Sequence, residues 1–332
     1  MPFFMGFEML SPVRWLILSL CLPRLACPGQ QRYEYSADAM GGAFSITIYS
    51  ADRGDADAAA AAAFVELHRL DAMLSNYRPD SELSEINRNA AERAVRVSPE
   101  LFDLLAACLQ YSRSSEGAFD ITVGPLVKAW GFYNGSGKIA DDAVIREALS
   151  RVGYADIALD PEKRTIRFAR DGMEIDPGGI GKGYAVDRMV EVLKRNGIGR
   201  ALVSAAGSSI YALGTPADRD GWQVSIADPQ KPGHNIDRIS LKDASISTSG
   251  NSRKSFRAGG RVYGHILDPR TGRPARGVLL ASVVAPRTLD SEAWTKAFFV
   301  NGRRWSEEHI PAGFRVYLCE EEAGRPVCGW LP

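Results

Sequence analysis

The sequence predicts an α+β fold on three observations. Short stretches of alternating apolar residues recur along the chain, other stretches carry apolar residues at helical spacing, and no repeat, low-complexity tract or linker separates the two kinds after residue 40. The chain has 332 residues, 45% of them hydrophobic, which suffices for one large α+β domain or two small ones; the missing linker favours one, over residues 30–332. Its 40 basic and 40 acidic residues cancel, so no basic excess points to nucleic acid.

The first 27 residues read as a leader. Arg14 precedes an apolar run at residues 15–22, too short to span a bilayer but suited to a signal-peptide core, and Ala26 is a candidate cleavage residue. Cys27 resembles a lipoprotein acceptor, although Arg24 stands where an aliphatic residue is usual. The expectation is export, to the periplasm or to a membrane anchor on its periplasmic side. Cys21 and Cys27 fall in this leader and Cys108 in a helical apolar stripe. Cys319 and Cys328 flank a turn, and in an oxidising compartment can close a C-terminal hairpin.

Along the remainder, Phe44, Ile46 and Ile48 alternate with Ser45 and Thr47 as in a half-buried strand, entered through Met40-Gly41-Gly42. Asp55 or Asp57 can cap an alanine-rich helix carrying Phe64, Leu67, Leu70 and Leu74, which stops before a polar loop at residues 75–82. Ser98-Pro99 opens a second helix with Leu101, Leu104, Leu105 and Cys108 on its buried stripe. Residues 117–132 mix aromatics, glycines and Asp120, a composition shared by flat-ring pockets and by aromatic cores. A short helix at 141–149 and a hairpin at 157–168 follow. Strands are expected at 200–204, 210–213, 222–227, 236–241, 245–248 and 262–267.

Residues 174–187 stand out: four glycines, two aspartates and Lys182 lie between a strand and a helix marked by Val186, Met189, Val190 and Leu193 and stopped at Asn196-Gly197. A helix start offers unpaired N–H groups and partial positive charge, and Gly178, Gly179, Gly181 and Gly183 have no β-carbon to hold a diphosphate away. The spacing is neither a Walker loop, which would need glycine at Asp176 and a hydroxyl residue at Gly183, nor the dinucleotide fingerprint. A tight turn serving strand–helix packing is the plain alternative.

Taken in order, these stretches resemble the ApbE family, the FAD:protein FMN transferases. The resemblance runs from about Met40 to Gly302, and its specific pair is Asp176-Pro177-Gly178-Gly179-Ile180-Gly181-Lys182-Gly183-Tyr184 with His265-Ile266-Leu267-Asp268-Pro269-Arg270-Thr271-Gly272. It implies a T-fold-like architecture of mixed and antiparallel sheets with packed helices. It also implies bound FAD, Mg²⁺, and transfer of FMN from FAD to a Ser or Thr hydroxyl of an acceptor protein, such as a redox or electron-transfer subunit, with AMP released. By position it makes Met40, Tyr77, Ala118, Phe119, Asp120, Asp176, Lys182 and Ile266 flavin or nucleotide contacts. Asp176, Lys182 and His265 become catalytic candidates, and Gly179 would offer a carbonyl to the metal.

Three departures from the family pattern stand in this chain: the turn at residues 204–209, Asn251-Ser252 after Thr248-Ser249-Gly250, and Glu292-Ala293-Trp294-Thr295-Lys296 in place of Asp-Ala-x-x-Thr. The last puts Glu292 on the metal-binding aspartate and Lys296 on the threonine, on one helical face. A charged lysine has no lone pair for Mg²⁺. FAD binding is therefore expected to depend only weakly on Mg²⁺, unless the two residues form an ordinary surface pair. Two other functions share the pocket: a non-catalytic FAD-binding protein, and an FAD pyrophosphatase releasing FMN and AMP.

Overall fold

The structure, a computed structural model, describes residues 29–135, 137–251 and 255–332. The segment expected to be a leader, with Cys21, Ala26 and Cys27, lies outside the described residues. Eight strands form one antiparallel sheet in which each pairs with the next: β1 (Gln31–Ala39), β2 (Gly42–Ser50), β3 (Ala201–Ala205), β4 (Ser209–Leu213), β5 (Ala244–Gly250), β6 (Val278–Ala285), β7 (Arg315–Glu322) and β8 (Arg325–Trp330). The alternation along β2 works as its period of two requires: Phe44, Ile46 and Ile48 are fully buried while Ser45 faces out.

Seven helices accompany the sheet among the described residues: α1 (Arg53–Leu74), α2 (Glu82–Asn89), α3 (Pro99–Ser114), α4 (Gly124–Ala129), α5 (Asp142–Leu149), α6 (Gly181–Arg195) and α7 (Thr288–Glu308), the last bent at Gly302. The buried stripes of α1, α3 and α6 join the β2 and β3 side chains in the largest core, which takes in Leu67, Leu70, Cys108, Val186 and Met189. A second core under α7 holds Phe298 and Phe299 against Ala281, Val283 and Val316. A third sits between the sheet and the hairpin Trp222–Ala227/Asn235–Leu241, through Trp222, Val224, Ile226, Ile239 and Leu241. Helices and hairpin thus sandwich the sheet, an α+β arrangement as expected.

Several sequence expectations need correction. The first strand is β1; Met40-Gly41, both with positive φ, form the tight turn from it into β2. Asp52, not Asp55 or Asp57, caps α1, accepting the Asp55 N–H at 3.1 Å. The polar loop after α1 is shorter than read, because Ser81 caps α2 and accepts the Ser84 N–H. The strand expected at 262–267 is broken: Arg261–Gly264 pairs with Ser255–Ala258, and Leu267–Asp268 with Arg273–Pro274. The helix that carries Glu292 and Lys296 starts at Thr288. Cys319 and Cys328 face each other on β7 and β8 and are bonded, while Cys108 is buried in the core.

Candidate functional site

The glycine-rich segment is held on both sides before it turns. The side-chain amide of Asn87, on α2, accepts the Ile175 N–H at 2.8 Å and donates to the Ile175 carbonyl at 2.9 Å. From the other side, the Asp176 N–H donates to the Ile121 carbonyl at 2.8 Å, and Val123 bridges Glu174. Such paired backbone bonds give the chain one exit direction. A single 3₁₀ turn at Pro177–Gly179 then leads into α6.

Asp176 is the cap of that turn. Its Oδ1 accepts the Gly178 N–H at 2.7 Å, its Oδ2 the Asn76 side-chain N–H at 3.0 Å, and burial pushes its carboxyl above the ordinary range. The segment therefore offers fewer amides than its glycines suggest, since Gly178 donates to Asp176 and Gly183 to Glu292 Oε2. Gly181 and Lys182, the first positions of α6, are where helix-start amides are left over.

Gly183 is a glycine because α7 crosses there. A β-carbon at this position would stand 2.6 Å from the Thr288 carbonyl oxygen and 2.8 Å from Glu292 Oε2. That close approach brings Glu292, only 1% exposed, to α6, with Lys296 Nζ 3.5 Å and Lys182 Nζ 3.9 Å from its Oε1. Lys296 also reaches the turn: a β-carbon on Gly179 would lie 3.9 Å from its Cε. Burial lowers the Lys296 pKa to about 8, against the pull of Glu292. Asp176, Gly179, Lys182, Glu292 and Lys296 thus meet where α6 begins and α7 passes.

The Thr248-Ser249-Gly250 stretch supports this wall. Ser249 donates to Thr295 Oγ1 at 2.8 Å, and Thr295 donates to the Glu292 carbonyl at 2.7 Å, so β5 fixes the turn of α7 that carries the carboxylate. The Thr295 hydroxyl is thereby occupied in the protein.

Mg²⁺ requires near-octahedral oxygen ligands, and these residues do not fit it. One Glu292 oxygen already accepts the Gly183 amide and the other faces two ammonium groups. Lysine brings no acceptor. A divalent ion about 4 Å from either ammonium would meet a repulsion of about 8 kcal/mol at an effective dielectric near 20, twice that of a unit-charge pair.

The remaining candidates divide. Tyr77 is 65% exposed and stacked on Tyr133 with ring centres 4.4 Å apart; its hydroxyl donates to the Tyr133 carbonyl and that of Tyr133 to the Asn76 carbonyl. The two tyrosines line a cavity of about 290 Å³ together with Asn76, Asn87, Lys128 and Glu174. His265 meets Phe132, the neighbour of Tyr133, edge-on at 6.5 Å, and Ile266 is buried, its carbonyl accepting the Ala275 N–H at 2.9 Å. Trp130 Nε1 donates to the Gly272 carbonyl at 2.8 Å and so ties the His265 loop to the segment after α4. Met40 donates its N–H to Asp71 at 3.0 Å at the β1–β2 turn.

The side chains of Ala118, Phe119 and Asp120 are buried, and Phe119 reaches the glycine turn, where a β-carbon on Gly179 would lie 3.4 Å from its Cε2. Phe119 packs edge-on against Tyr111 in the main core, and Asp120 accepts from the Thr122 N–H and hydroxyl and from the Tyr154 N–H. Sequence reasoning missed Asn76, Asn87 and Tyr133; the first was visible as an amide beside Tyr77, whereas the α2 contact of Asn87 had no local signal.

The ApbE family model matches residues 40–314. The chain is 33% identical over 296 residues to an FAD:protein FMN transferase of Treponema pallidum, covering 83% of this chain and 82% of that protein. It is 31% identical over 271 residues to one of Klebsiella pneumoniae, covering 80% and 82%. Among solved structures, the ApbE protein of Thermotoga maritima superposes with a TM-score of 0.83 at 29% identity, over 91% of this chain and 97% of that one. The flavinyl transferase ApbE of Pseudomonas stutzeri gives 0.80 at 26%, over 91% and 95%.

Proposed function

The chain belongs to the ApbE family, and on that premise we propose that it is an FAD:protein FMN transferase acting on a Ser or Thr hydroxyl of an acceptor protein. The observation that carries the reading is the meeting of α6 and α7, where helix-start amides and two lysines converge on one spot. A diphosphate there is made electrophilic as its charge is neutralised.

The acceptor's hydroxyl oxygen forms a bond to the phosphorus of the FMN half, and the bridging P–O bond breaks. AMP leaves with the bonding electrons, its charge met by Lys182 and the α6 start. The hydroxyl proton passes to a general base, a role assigned to His265. Asp176 orders the 3₁₀ turn under the diphosphate through its bond to Gly178. Tyr77 and Tyr133 supply flat faces for a ring of FAD.

The leader supports export, with the acceptor on the periplasmic side as a soluble or membrane-bound redox subunit. The test is incubation of the purified chain with FAD and a candidate acceptor, followed by in-gel flavin fluorescence. A fluorescent acceptor band supports transfer. FMN and AMP without a labelled acceptor would indicate hydrolysis, and bound intact FAD a non-catalytic carrier. His265→Ala should abolish label while FAD still binds.

A further inference from the structure

The family pattern calls for a divalent cation beside α7, yet the residues present there do not fit one. We propose that Glu292 anchors Lys296 and Lys182 as a fixed pair of ammonium groups, and that this pair takes the place of a divalent cation in receiving the diphosphate of FAD. The proposal rests on the flavin-transferase reading and specifies how its site handles charge.

Three features of the geometry carry it. Glu292 is almost wholly buried, yet its two oxygens are divided in use: Oε2 takes the Gly183 amide, and Oε1 lies 3.5 Å from Lys296 Nζ and 3.9 Å from Lys182 Nζ. The ammonium groups come from different helices, so one carboxylate sets their separation. Lys296 also lies alongside Gly179, so its charge borders the turn over which a diphosphate would pass.

The charge count agrees with this role. One carboxylate and two ammonium groups leave the cluster with one net positive charge and no added ion, which offsets one of the two negative charges on the diphosphate of FAD, and the α6 start meets the other. The longer glutamate side chain suits an anchor as well, because it contacts the Gly183 amide on one helix and both ammonium groups at once. Glu292 is then a positioning residue, and the lysines are the groups that touch substrate. A plain helical Glu–Lys pair would not bury its carboxylate or recruit a second lysine from another helix.

The experiment titrates FAD, and separately ADP as a probe of the diphosphate alone, into the full chain in EDTA and in excess Mg²⁺. Wild type is expected to bind both ligands with affinities that differ by less than about threefold between the two conditions. Lys296→Met, of similar length but uncharged, should weaken both ligands by about tenfold or more in either condition. The double variant Glu292→Asp/Lys296→Thr should become Mg²⁺-dependent and, with ADP present, should bind Mn²⁺ detectable by EPR where wild type does not. Melting curves establish that each variant is folded; Lys296→Met removes a half-buried charge and is the variant best placed to fold. A loss of about tenfold or more in wild-type affinity in EDTA, or an unchanged affinity in Lys296→Met, would overturn the proposal. If FAD binds in no arm while ADP binds without metal, the flavin reading fails and the lysine pair stands.

Discussion

On the α6 wall of the site the groups offered to a diphosphate are helix-start amides and one lysine; on the α7 wall the group offered is a second lysine, anchored by a buried carboxylate four residues before it. The α6 wall is cheap to build, because glycine amides arrive with the helix and need no desolvated charge. The α7 wall is costly, since a carboxylate that is 1% exposed must be matched by hydrogen bonds and by opposite charge. The two also differ in how they are held: α6 from its own loop through Asp176 and from α2 through Asn87, α7 from β5 through Ser249 and Thr295. A wall of backbone groups tolerates side-chain replacement, whereas a wall of paired charges loses its balance with any one member.

The largest effect should therefore come from breaking the α7 wall. Glu292→Ala leaves two ammonium groups facing each other and the Gly183 amide without its acceptor, and is expected to lower unfolding stability by about 3–5 kcal/mol. Denaturant melts read this directly. A loss below about 1 kcal/mol would mean that the carboxylate behaves as a surface group and that the contrast between the walls is false.

Next is the contact of the walls. Gly183→Ala puts a β-carbon into the Thr288 carbonyl and the Glu292 side chain, and should cost about 1–3 kcal/mol through strain on a packed helix crossing. Gly181, two residues earlier, is the internal control: its nearest neighbours would be at 3.7 and 3.9 Å, so Gly181→Ala should be neutral or stabilising by up to about 1 kcal/mol. Equal melting temperatures for the two alanine variants would remove the argument that α7 presses on Gly183.

The contrast also separates what could be read from the sequence from what could not. The α6 side was legible because its signals are local: glycines, a lysine and a following apolar stripe lie within one stretch. Phe44, Ile46 and Ile48 were legible for the same reason, and Cys319 with Cys328 needed only a short turn between two strand residues. β1 carries a weaker signal although Tyr33, Tyr35 and Ala39 alternate, because it is an edge strand of half-exposed residues. The recruitment of Lys182 to Glu292, the Asn87 clamp and the bond from the Tyr154 N–H to Asp120 depend on distant chain segments. Nothing in a local window encodes those contacts.

Asp176→Ala tests the α6 wall and should act on binding more than on folding. The cap it provides to a short 3₁₀ turn is worth about 1 kcal/mol. FAD affinity should nevertheless fall by about tenfold or more, since Gly178 and Asn76 both lose the acceptor that shapes the turn. Calorimetric FAD titration paired with thermal melting separates the two; a lowered melting temperature with unchanged affinity would make Asp176 a cap and no more.

The smallest net effect at neutral pH is expected where α6 and α7 join away from the ligand. Asp187, on α6, accepts the N–H groups of Thr288 at 2.7 Å and Leu289 at 2.8 Å, capping α7 from another helix. Burial raises its pKa from 3.8 to about 6 despite those bonds. A raised carboxylate pKa means that the folded chain holds a proton the unfolded chain has already released. Its contribution to stability therefore falls as pH rises from about 4 to 6, and the full cost remains above pH 6. The gap from 3.8 to about 6 corresponds to about 3 kcal/mol at most, at about 1.4 kcal/mol per pH unit. Asp187→Asn cannot ionise and so escapes that cost, but its NH₂ confronts one of the two backbone donors, a penalty of about 1–3 kcal/mol. At pH 7 the two changes nearly cancel. Between pH 6 and 4 wild type should gain on the variant by up to about 3 kcal/mol, read from paired urea melts across that window. If the two proteins keep a constant difference from pH 7 to 4, Asp187 titrates in the folded chain as it does in the unfolded one, and burial at the α6–α7 junction does not bear on its charge.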